Sequence, residues 1–156
     1  THPYIRVAYG FAYLVAIIDW YRRTVLSIRV SNAMTTEFCI EALAEALTRY
    51  GTPEIFTTDQ GSQFTAEEFT TVLLTAGVGV SMDGKGRWID TVVVERLWRS
   101  VKYEDIDLHA YATMRELKAA LARYFDFYNA LRPHRSREDR TPDEVYFGSG
   151  NMKQAA

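Results

Sequence analysis

A single cysteine, Cys39, is all the thiol chemistry this chain has. It can form no intramolecular disulfide and cannot build a zinc site alone, and its place in a helical apolar pattern reads as a buried structural thiol. No apolar run nears the roughly 20 residues needed to cross a bilayer. The longest, Phe11 to Ile18, is strand length, so no membrane partner is expected. There is no signal-peptide pattern, and the sequence begins at Thr1 rather than Met, which reads as a core excised from an intracellular, cytoplasmic protein. Net basic charge is also missing, because the formal sum is −2. For a nucleic-acid binder that moves the question from the sum to the distribution. No internal repeat and no second domain is visible.

What is present suits one globular unit. The 156 residues are enough to bury a real core, and 47% apolar with 24% charged residues is ordinary for such a domain. Positive charge is clustered at Arg22-Arg23, Lys85–Arg87, Arg96-Arg99-Lys102 and from Arg132 to Arg140.

The hydrophobic periods set out the elements. His2 to Val7 predicts a first strand. Phe11 to Ile18 is almost continuously apolar, as in a strand covered on both faces. Thr24 to Val30 alternates as a third strand, and short turns make the three an antiparallel meander. Thr35 or Thr36 caps a helix running to about Arg49 or Tyr50, with Phe38, Ala42, Leu43, Ala46 and Leu47 on its buried face and Gly51-Thr52-Pro53 as its stop. A short strand from Glu54 to Thr57 follows, then a helix from about Ala66 to Ala76, stopped by Gly77. Val78 to Met82 reads as a fifth strand. Asp83 to Trp88 is a charged, glycine-rich loop. A helix over about Thr91–Tyr103 carries Glu95. A longer one, about Thr113–Leu131, has Leu117, Ala120, Leu121, Tyr124, Phe125 and Tyr128 on its apolar side. Pro133 ends it, and Thr141-Pro142-Asp143-Glu144 looks like a capped helix start. Residues 1–147 read as the domain and 148–156 as a loose tail. The pattern by itself supports an α/β or α+β chain.

Chemistry concentrates in two stretches. Ile55-Phe56-Thr57-Thr58-Asp59-Gln60-Gly61-Ser62-Gln63-Phe64 delivers an acidic residue to the end of a strand, where α/β folds keep metal and phosphate chemistry. Glu95 lies in Glu95-Arg96-Leu97-Trp98-Arg99-Ser100-Val101-Lys102. Glu95, Arg99 and Lys102 stand at i, i+4 and i+7, on one helical face. Each feature has a plain alternative. Asp59 could cap a turn, Glu95 could be a solvated helix residue, and Gln60, Ser62 and Gln63 could serve only the loop.

Taken together, Asp59 with Gly61-Ser62 and Phe64, Glu95 at its spacing and the basic Lys102 resemble the catalytic core of the DDE transposases and integrases. The Arg96–Ser100 run, Tyr128-Asn129, Arg132-Pro133-His134 and Thr141-Pro142 narrow the resemblance to insertion-sequence transposases of the IS3 type. It covers nearly the whole chain. It implies a ribonuclease-H-like fold, a five-stranded mixed sheet flanked by helices. It also implies cleavage and strand transfer at transposon DNA ends, with transposon-end and target DNA as partners, and a homo-oligomer in the active complex.

The implied chemistry needs an in-line oxygen nucleophile, a stabilised leaving oxygen and charge neutralisation at phosphorus. Two divalent ions about 3.5–4 Å apart supply these, held by carboxylates. Mg2+, or Mn2+ in its place, takes oxygen ligands and keeps several waters. The resemblance makes Asp59 and Glu95 catalytic metal ligands. It places Gln60, Ser62, Gln63, Lys85, Arg87, Arg99 and Lys102 against DNA. The family's first-strand Asp has no counterpart here, since its position falls at Thr1 or just before it. Asp19, at the end of the second strand, reads as structural. Two rival readings remain: an inactive ribonuclease-H-like DNA-binding module, and another ribonuclease-H-like nuclease.

Overall fold

A computed structural model of the chain describes residues 4–7, 10–19, 21–58, 62–81, 95–109 and 111–131. Strand β1 (Tyr4–Val7) pairs antiparallel with β2 (Gly10–Ile18), Val7 opposite Gly10. β2 pairs antiparallel with β3 (Val25–Ser31), Leu14 opposite Val30, with an irregularity between Ile17 and Ile18. β4 (Ile55–Thr57) and β5 (Gly79–Ser81) form a parallel pair. The described residues thus hold β1 to β5. The hydrogen bonding among the described residues divides them three and two, and the single five-stranded sheet of the sequence reading is not seen there. β4 and β5 have only three residues each, which leaves a short ladder to propagate pairing.

The continuous apolar run of β2 is explained by helices on both sides of it. Ala12 and Leu14 point to one face, where they meet Ile5, Val25 and Val30 and residues of two later helices. Val15 points to the other, against Phe38, Cys39, Ala42, Leu43, Phe69, Leu73 and Val78. Alternate residues of an extended strand project to opposite faces, so two cores demand apolar residues at every position.

Helix α1 (Thr36–Tyr50) covers the second face. The Phe38 N–H donates to Thr35 Oγ1 at 3.2 Å, which confirms Thr35 as the cap. Gly51 ends the helix at φ 82, a backbone that side-chain-bearing residues rarely adopt. Cys39 lies in this core, and burial pushes its thiol up to about 11, as suits an inert packing residue. Arg29 and Ser27 of β3 both bond Glu45 of α1, at 3.1 and 3.2 Å, at the margin of this core. A four-residue helix α2 (Ser62–Thr65) precedes α3 (Glu67–Thr75). The sequence pattern suggests one helix here, because α2 is a single turn with no period of its own.

The first face is covered by helical residues 95–101 (α4) and by α6 (Met114–Ala130). Between them, α4 runs on through a π-helical turn, Lys102–Ile106, into a final short helix α5 (Asp107–His109). α6 opens with a full capping box, in which Glu116 N–H donates to Thr113 Oγ1 and the Glu116 carboxylate accepts from Thr113 N–H. Its buried residues are the six that the helical period selects, Leu117, Ala120, Leu121, Tyr124, Phe125 and Tyr128.

Candidate active site

The first motif is anchored by aromatic packing. Phe56 of β4 and Phe64 of α2 both meet buried Phe69 edge-on, at centroid distances of 6.0 and 5.2 Å. The two phenylalanines of the motif, one on each side of residues 59–61 in the sequence, are thus packed on the same buried ring. Thr58 N–H donates to Ser81 O at 3.1 Å, so the parallel pairing extends to the residue before Asp59. The Thr58 hydroxyl is buried and has no hydrogen-bond partner among the described residues. Ser62 is exposed and Gln63 half-buried. Asp59, Gln60, Lys85 and Arg87 lie outside the described residues.

The second motif sits on α4. Leu97 and Val101, one turn apart, are buried against the sheet and α6. Trp98 packs at the edge of the same core. Glu95, Arg96, Arg99 and Lys102 are exposed on the opposite side. The Glu95 carboxylate makes no hydrogen bond or ion pair with another described residue.

The π turn has a cause in the sequence. Continuing the α spacing from Val101 would bring Glu104 and Asp105 toward the core. Instead the Asp107 N–H donates to Lys102 O, a turn one residue wider, and Ile106 packs against the core that holds Val101. The two carboxylates are tied at the margin by tyrosines. Tyr124 O–H donates to Glu104 Oε2 at 2.8 Å, and Tyr111 O–H reaches both oxygens of Asp105 at 2.9 and 3.0 Å. Burial, and then the adjoining Asp105 carboxylate, push the Tyr111 hydroxyl up to about 12. The sequence reading ended this helix at Tyr103; the helical path runs on to His109.

Asp19 is occupied, in line with its structural reading. Its Oδ1 accepts from Arg22 N–H at 2.8 Å and its Oδ2 from the Arg22 guanidinium at 2.9 Å, which closes the β2–β3 turn. Asn129, part of the Tyr-Asn motif, is a residue whose role the sequence did not reveal. Its amide donates to Val25 O at 2.9 Å and accepts from Val25 N–H at 3.0 Å, docking α6 on β3. Among the described residues no three His, Cys, Asp or Glu side chains form a metal-sized group, and no helix is long and apolar enough to cross a membrane.

An α/β domain with helices on both faces of a β1–β2–β3 meander, and an acidic motif at the end of the following strand, defines the class of ribonuclease-H-like cores. Solved structures of that class match over nearly the whole chain. The catalytic core of HTLV-2 integrase, solved in complex with magnesium in a dimeric form, superposes with a TM-score of 0.74 at 17% identity, over 94% of this chain and 92% of that one. The core of BIV integrase gives 0.74 at 19% identity, over 97% and 94%. At these identities the likeness shows the fold.

The family follows from sequence. Residues 1–87 and 76–142 match two family models, each described as an integrase core domain, and the chain belongs to that family. Among its relatives, the transposase InsF of insertion sequence IS3A from Escherichia coli K12 is 31% identical over 134 residues, covering 84% of this chain and 46% of InsF. The putative transposase InsK of IS150, from the same strain, is 28% identical, covering 85% and 47%. The chain thus spans about half the length of these curated relatives.

Proposed function

We propose that residues 1–147 form the catalytic core of a bacterial insertion-sequence transposase, which cleaves transposon DNA ends and joins them to target DNA in the cytoplasm, with 148–156 as a tail. The observation that carries this reading is the exposed side of α4. There Glu95, a carboxylate with no partner among the described residues, shares a surface with Arg96, Arg99 and Lys102.

The donor chemistry suits a hard divalent cation. Both candidate ligands, Asp59 and Glu95, are carboxylates, the hard oxygen donors such a cation takes. We assign Asp59 and Glu95 to hold Mg2+ or Mn2+, which would stabilise the entering and leaving oxygens at phosphorus when bound. Arg99 and Lys102 then neutralise phosphates of the DNA end laid along α4. Gln60, Ser62 and Gln63 hold the backbone beside Asp59, and Lys85 and Arg87 track it from the segment before α4. The active unit is a homo-oligomer on DNA. Asp19 cannot serve as third ligand without giving up the turn it closes, so the third carboxylate is the family's first-strand Asp.

The test compares strand transfer by the 156-residue chain, by a Thr1→Asp variant and by a version carrying upstream residues, each with Mg2+ and with Mn2+ on DNA bearing cognate ends. Activity is expected only where the acid is restored, and Glu95→Gln in that background should remove it. Equal activity in the unmodified chain would refute the assignment and turn attention to Asp19. A folded, restored chain that binds DNA ends but never cleaves would favour the inactive DNA-binding module.

A further inference from the structure

Tyr103 follows Lys102 at the start of the π turn and is 62% exposed. The Lys102 ammonium stands 6.0 Å from its ring centroid. Arg99 precedes it by one helical turn and Arg96 by two, so ring and cations form one exposed stripe along α4. Three acidic residues follow: Glu104 is bonded by Tyr124 and Asp105 by Tyr111, while Asp107, exposed one turn beyond Tyr103, marks where the cationic stripe ends. The wide turn thus leaves a cationic surface ending in an accessible aromatic face.

We propose that Tyr103 is a stacking platform for an unpaired base at the DNA end, with Lys102 and Arg99 gripping the adjoining phosphates. The proposal rests on the transposase reading and adds to it a preference for frayed or single-stranded ends over blunt duplex. An aromatic face beside a cationic track is how proteins hold single-stranded nucleic acid, since every base offers a π-face and every nucleotide a phosphate. The occupant's charge is opposite to that of the stripe, which argues for nucleic acid over an apolar partner helix. Tyr103 acts here by contact with DNA and takes no part in the metal chemistry.

The experiment titrates the full chain against two DNA duplexes of equal length, one blunt and one with a short single-stranded extension containing 2-aminopurine. Wild-type chain should bind the extended duplex more tightly and quench the probe by stacking. Tyr103→Ala should lose roughly 5- to 150-fold in affinity for the extended duplex, the range for loss of one base–aromatic stack, with little change on the blunt one. Tyr103→Phe should behave as wild type, because the ring remains. Equal loss on both duplexes, no loss on either, or failure of the Phe variant to rescue would each overturn the stacking role while leaving DNA binding intact. Wild-type chain that binds neither duplex would overturn the transposase reading along with it. Circular dichroism melting of each variant checks that the fold is kept.

Discussion

Two long helices pack on the same core and were built by different rules. α6 keeps one period for 17 residues, opens on a capping box and buries the residues its pattern selects. The helical path from residue 95 to His109 keeps its period only as far as Val101, and then widens by one residue to seat Ile106. The regular helix stabilises the domain. The irregular one presents Glu95, Arg96, Arg99, Lys102 and Tyr103 to solvent. Where every local preference agrees with the fold, a helix is architecture. Where sequence and period conflict and distant side chains must resolve the conflict, function is near.

The contrast predicts opposite outcomes from substitutions on the two sides. The largest effect should come from Glu95→Gln in an acid-restored chain, where strand transfer falls to background. Its thermal unfolding should move little, since surface changes stay within about 0.5 kcal/mol. A large drop in melting temperature would make Glu95 an architectural residue and erase the contrast. Next, Leu117→Ala in α6 should cost about 2–5 kcal/mol of stability by denaturant unfolding, because its side chain is fully buried. DNA contacts on α4 would be untouched as long as the domain remains folded. Asn129→Ala should cost about 1–3 kcal/mol, since it strips the Val25 N–H and C=O of their partner. Thr113→Ala removes the α6 cap and should cost about 1 kcal/mol.

The same contrast marks how far the sequence could be read. α1 and α6 are legible to within a residue or so, because their caps, Thr35 and Thr113 with Glu116, are local and their periods unbroken. β2 is legible because a strand with two cores must be apolar throughout. The π turn is not. It depends on Tyr124, 20 residues beyond Glu104, and on Tyr111, and no local pattern announces a one-residue slip. The role of Asn129 is hidden for the same reason, with its partner Val25 104 positions away. The motif order identified the family, and the structure separates its residues by task. Phe56, Phe64 and Asn129 hold the scaffold, while Glu95, Arg99 and Lys102 are left exposed.

The central claim is that Asp59 and Glu95, carried by different elements, share one metal site. A double-mutant cycle of Mn2+ affinity in the acid-restored chain tests it most directly, with Asp59→Asn, Glu95→Gln and the pair measured by calorimetry. Ligands of one ion are coupled, so each single variant should lose most of the affinity and the double variant little more. Losses that simply add, or a Glu95→Gln variant that binds Mn2+ like its parent, would contradict the account.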